Sequence, residues 1–131
     1  MTSEDQRRVI KAWLVKADDA LNDAAILLSR ESLTGTINRC YYAMFYAAYA
    51  LVLHDGLELH KHSAVISHIH REYVKSGRIS EELGRALLTA FDRREEADYH
   101  AMIRFNLEDV SNLLDQARRF VAEVRLLLQG T

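Results

Sequence analysis

Apolar positions recur along this chain at three- and four-residue steps, and no alternating strand pattern competes with them. Over residues 4–30 the apolar positions are Val9, Ile10, Trp13, Leu14, Ala17, Ala20, Leu21, Ala24, Leu27 and Leu28. They form one stripe of an amphipathic helix. Glu4 and Asp5 suit its positive end, with Thr2 or Ser3 as a cap, and residues 32–35 read as a turn. Residues 37–53 break the amphipathic rule. After Arg39 no charged residue follows until Asp55, and Tyr41, Tyr42, Phe45, Tyr46 and Tyr49 crowd the run. A helix apolar on every side must be covered on every side. The run is too short and too rich in tyrosine for a membrane span of about 20 apolar residues, so it reads as the central helix of a bundle. Asn38 and Arg39 stand at its entrance.

Gly56 is the expected left-handed stop of that helix. A third helix is expected over residues 62–76, with Ala64, Val65, Ile69 and Tyr73 inward and Gly77 ending it. His68 and Glu72 read as a surface pair. Ser80 is the expected cap of a fourth helix with the stripe Leu83, Leu87, Leu88 and Phe91. Gly84 within it either costs about 1 kcal/mol or admits a close neighbour. Asn106 caps a last helix over residues 107–129, whose stripe runs from Leu107 through Val110, Leu113, Leu114, Ala117, Phe120, Val121 and Val124 to Leu127. The expected fold is all-α, an up-and-down bundle of about five helices.

Composition adds limits. A chain of 131 residues fits one domain over 1–131, and 49% hydrophobic with 27% charged residues is ordinary for a globular protein. A formal net charge of −2 argues against binding nucleic acid mainly by bulk phosphate neutralisation, though not against a local basic site. The single Cys40 cannot form an internal disulfide. It fits a reducing cytoplasm and reads as core packing rather than a nucleophile. The N-terminus shows no apolar signal stretch, and no membrane association is expected. No proline interrupts the helices.

The densest chemistry lies in residues 92–100, Asp-Arg-Arg-Glu-Glu-Ala-Asp-Tyr-His. Arg93 and Arg94 can each grip a phosphate through two N–H groups, and His100 can move a proton near neutral pH. Together they make a metal-free kit for RNA cleavage. Arg94 and Asp98 are spaced for an ion pair, whereas Arg94 and His100 share no helix face. An exposed, salt-bridged helix end with His100 as a bystander is the competing reading. His54, His60, His62, His68 and His70 invite a metal, but on a helix His68 and His70 point apart, and His62 and His70 sit two turns apart. His60 and His62 could meet only in the connector, no cysteine completes a site, and no metal site is expected. No glycine-rich phosphate loop is present, and no cofactor is expected.

Several segments taken together resemble the HEPN superfamily, in particular its stand-alone bacterial and archaeal branch. They are Asn38-Arg39-Cys40-Tyr41-Tyr42-Ala43-Met44-Phe45, Lys61-His62-Ser63, Tyr73-Val74-Lys75-Ser76-Gly77, Gly84-Arg85, Ala90-Phe91-Asp92-Arg93-Arg94 and Ala97-Asp98-Tyr99. The resemblance spans about residues 8–125. It implies a homodimeric helical bundle and, for many members, a metal-independent ribonuclease with an Arg-x4-6-His motif. Many such members are toxins paired with a nucleotidyltransferase antitoxin. Arg94 and Arg93 both satisfy the motif with His100, giving catalytic Arg94, His100 and Arg93. Arg94, Asp98 and Tyr99 match the branch's Arg-x3-Asp-Tyr and are the expected RNA- or nucleotide-binding residues. His100 falls just beyond that shared motif. The alternatives are a non-catalytic nucleotide- or partner-binding module and a purely structural helical dimer joined through the aromatic helix.

Overall fold

A computed structural model describes residues 3–130; Thr2, one of the two expected caps, lies outside them. Among the described residues the order is α1 (Ser3–Ser29), α2 (Leu33–His54), α3 (His62–Ile69) with a π-helical extension (His70–Val74), α4 (Glu81–Tyr99) and α5 (Leu107–Gln129). None of these helices is long and apolar enough to cross a membrane.

Helix α2 is the hub, and α1, α3, α4 and α5 all pack on it. Its uncharged run explains this: Ile37, Cys40, Tyr41, Ala43, Met44, Ala47, Ala48, Ala50, Leu51 and Val52 are all buried. The many alanines, with Ala17, Ala20 and Ala24 of α1, leave room for neighbouring helices to come close. Its partly exposed stripe is Asn38, Arg39, Tyr42, Tyr46, Tyr49 and Leu53. The helix starts four residues before the expected run 37–53 does. The Thr36 backbone N–H and hydroxyl both donate to Ser32 O, which draws the polar segment 33–36 into its first turn.

Side chains tie the helices to one another and cap their ends. Gln6 Nε2 donates to Leu53 O at 2.7 Å, joining the start of α1 to the end of α2. Arg125 bridges α5 to Asp18 of α1, and Arg119 grips both carboxylate oxygens of Glu82 across α5 and α4. Ser80 and Asn106 cap α4 and α5 through their side-chain oxygens, as their spacing predicts. Gly56 and Gly77 take positive φ at the ends of α2 and of the π-helical extension.

The third helix departs most from expectation. After Ile69 it widens into the π turn, with Lys75 N–H donating to His70 O. His70 occupies the seam: Nδ1 lies 3.0 Å from Ile66 O and Nε2 3.0 Å from Gly84 O, tying the turn to α4. His68 is not a surface partner of Glu72. It is 4% exposed, its Nε2 sits 2.7 Å from Asp55 Oδ2, and Glu72 pairs instead with Arg71. The Tyr73 hydroxyl donates to the same Asp55 carboxylate. The surface reading failed because α3 packs against both α2 and α4, which buries a wider arc than one amphipathic stripe. For the same reason of tertiary placement, Leu88 and Leu107 of the expected stripes remain 42% and 44% exposed.

Candidate functional site

Arg94 projects from α4 onto the aromatic face of α2. Its Nη1 donates to the Tyr42 hydroxyl at 2.8 Å. The guanidinium carbon lies 5.2 Å from the centre of the Tyr41 ring and 5.6 Å from that of Tyr42. A cation held over two rings gains from their electron-rich faces. Its side chain is 16% exposed, and its Nε lies 3.9 Å from Asp98 Oδ2, beyond hydrogen-bond reach. That Nε is buried, and among the described residues it has no hydrogen-bond partner. Arg94 is therefore oriented by tyrosines and only loosely neutralised, which leaves its charge available to an anion.

Arg39 flanks the same ring from α2, its guanidinium 5.3 Å from the centre of Tyr42. Its Nε and Nη2 donate to Asn38 Oδ1, and among the described residues no carboxylate forms an ion pair with it. Tyr42 thus stands between two cations, one on α2 and one on α4. The third side of the cluster comes from α3. His62 stacks on Phe45 with centroids 4.1 Å apart and the planes inclined by 26°. Its Nδ1 is 2.7 Å from the Tyr41 hydroxyl.

The electrostatics follow from this packing. Burial, and after it the Arg94 charge, hold the His62 pKa below its ordinary 6.5. Burial pushes the Tyr41 hydroxyl well above the usual phenol range, and the nearby Arg94 charge opposes that rise. Tyr41 therefore stays protonated and can serve as a neutral hydrogen-bond partner.

The other expected site residues lie elsewhere on α4. Arg93 turns away from Arg94, pairs with Glu96 at 3.0 Å and lines a separate polar groove with Arg104, Asn106 and Asp109. Tyr99 is 78% exposed. His100 ends the helix in extended backbone and is exposed, beside Asp92, Glu95, Glu96 and Tyr99. Helical spacing brings Arg94 and Asp98 together, but it does not carry His100 to Arg94 within one chain. Tyr41, Tyr42 and His62 were not assigned from sequence as neighbours of Arg94. Their segments are 32 to 53 positions away along the chain, and no local spacing reports such a meeting. Among the described residues no group of three or more His, Cys, Asp or Glu side chains converges as a metal site would.

Comparison with known proteins agrees with this architecture. The family model for the HEPN domain matches residues 10–127. A UPF0332 protein of Thermotoga maritima is 35% identical over 125 residues, covering 95% of both chains. Two proteins of Methanocaldococcus jannaschii carry the names "Putative toxin MJ0605" and "Putative toxin MJ0142". The first is 30% identical, covering 98% of this chain and 96% of its own; the second is 29% identical, covering 93% and 83%. With nearly its whole length matched, this chain belongs to the HEPN family.

Proposed function

We propose that the chain is a HEPN toxin that cleaves RNA without a metal ion and is restrained by a nucleotidyltransferase antitoxin in the cytoplasm. The observation that carries this is Arg94, a guanidinium aimed by Tyr42 and only loosely matched by Asp98. Such a group binds a phosphate and stabilises the extra negative charge of a phosphorane. The toxin names of two relatives matched over most of their length support the toxin part of this reading.

In this reading Arg94 holds the scissile phosphate. Arg93 faces the separate groove paired with Glu96, so it assists only where that pair opens to the RNA. Asp98 limits the swing of Arg94, and Tyr99, largely exposed, offers a ring for a base to stack on. His100 moves a proton. Its place past the end of α4 suits delivery from the second copy of a homodimer rather than from the chain that supplies Arg94. The test is cleavage of a mixed RNA pool in EDTA by wild type, Arg94→Ala and His100→Ala. Loss of cleavage in both variants is expected. Wild-type rates in both would refute these roles.

One observation favours a second reading. Within one chain Arg94 turns toward α2 while His100 opens to solvent beside Glu95 and Glu96. A non-catalytic module that binds a nucleotide or a partner through Arg94 fits that separation. It predicts binding without turnover by folded wild-type protein.

A further inference from the structure

Cleavage of RNA at a 2′-hydroxyl requires two proton movements: the 2′-oxygen loses one and the departing 5′-oxygen gains one. Arginine stays charged and supplies neither. The groups that share the aromatic cluster with Arg94 in its own chain are tyrosines, Phe45 and one imidazole, that of His62. The His62 ring stacks on Phe45 with the planes inclined by 26°, and its Nδ1 lies 2.7 Å from the Tyr41 hydroxyl. The Tyr41 ring in turn lies against the Arg94 guanidinium. Among the described residues the His62 Nε2 makes no hydrogen bond to the protein, and the His62 side chain is only half-buried. One nitrogen is thus held and the other is open, the arrangement of an imidazole oriented for proton transfer.

We propose that His62 takes the 2′-hydroxyl proton in the RNA cleavage proposed above, beside Arg94 of the same chain, with Tyr41 as its positioning residue. This inference rests on the ribonuclease reading. In the active tautomer Nδ1–H donates to the Tyr41 oxygen, and the lone pair of Nε2 faces outward. Nε2 accepts the proton from the 2′-hydroxyl. The 2′-oxygen forms its bond to phosphorus, and the bond from phosphorus to the 5′-oxygen breaks. The leaving 5′-oxygen takes a proton from protonated His100. The products are a 2′,3′-cyclic phosphate and a 5′-hydroxyl, with no net gain or loss of protons between the two histidines once they re-equilibrate with water. The phosphorane forms between Arg94 and the new imidazolium, so its added negative charge faces two cations. Burial and the Arg94 charge keep His62 neutral at pH 7, the state a base needs.

The test compares wild type, His62→Asn and Tyr41→Phe on an RNA oligonucleotide in EDTA between pH 5 and 8. The asparagine amide can still donate toward the Tyr41 oxygen but cannot titrate. Expected for His62→Asn is a rate loss of about 100-fold or more, with the acid limb of the pH profile abolished. Tyr41→Phe is expected to retain cleavage at about a tenth of the rate and to move that limb. A second measurement uses unaltered protein: the His62 ring resonances in NMR, with and without an oligonucleotide carrying a 2′-deoxy sugar at the cut site. Binding is expected to shift those resonances and raise their titration midpoint. A His62→Asn protein that cleaves at the wild-type rate with the same pH profile overturns the inference and leaves the ribonuclease reading standing. Unmoved His62 resonances in a saturated complex also overturn it. A folded wild type that cleaves no RNA overturns the ribonuclease reading, and this inference with it.

Discussion

Replacing Gly84 by alanine should destabilise the protein, although alanine is the better helix former. A Cβ at Gly84 stands 2.7 and 2.9 Å from the two γ-carbons of Val74 and 3.4 Å from His70 Nε2. Carbon atoms do not approach so closely, so α4 must move or Val74 must turn. Val74 is β-branched and ends the π-helical turn, so its χ1 has little freedom. Backing α4 away would stretch the bond between His70 Nε2 and Gly84 O, now 3.0 Å. Helix propensity favours alanine by about 1 kcal/mol. Overpacking of this kind costs about 1–3 kcal/mol, so the net loss centres on about 1 kcal/mol. In a domain of this size that lowers the melting temperature by about 3–5 °C. The assay is urea unfolding of wild type, Gly84→Ala, Val74→Ala and the double variant. With Val74 shortened the clash is gone, and Gly84→Ala should become stabilising by about 0.5–1 kcal/mol. Stabilisation by Gly84→Ala alone, or the same effect in both backgrounds, would refute the reasoning.

Three further outcomes follow from the cluster around α2. Tyr42→Phe removes the acceptor of a charged hydrogen bond from a mostly buried guanidinium and should cost about 1–2 kcal/mol in urea unfolding, whereas Tyr46→Phe, with no such bond, should be near neutral. His62 has a folded pKa below its unfolded 6.5, so the unfolded chain binds more protons as pH falls; its contribution to stability is whole above about pH 6.5 and is lost as pH drops through the folded value. In His62→Asn that part of the slope of stability against pH should vanish. Cys40 is fully buried, and burial pushes its thiol up to about 12, so a thiol reagent at pH 8 should label it only as fast as the chain opens, with denaturant accelerating the reaction; rapid labelling of native protein would contradict the packing.

The all-α class, the central helix, the caps at Ser80 and Asn106 and the stops at Gly56 and Gly77 were legible in the chain because each is a local rule. Periodicity, the absence of charge and the φ of glycine act within one or two turns. The same locality made Arg94 and Asp98 recognisable as an i, i+4 pair. His68 shows where such rules stop: spacing alone put it on the surface, but the packing of α3 into the bundle and the reach of Asp55 put it inside.

The candidate site lay beyond those rules. Sequence singled out Arg94 by its residue type and by the resemblance of its segment, but it could not say which way the guanidinium turns. Only the packing of α4 and α3 on α2 decided that Arg94 meets Tyr41 and Tyr42, that Arg93 faces a different groove, and that His62 joins the cluster. The physical reason is that helix formation is written in neighbours a few residues apart. The meeting of side chains 32 and 52 positions apart depends on how whole helix faces pack, and that is settled by the assembled core.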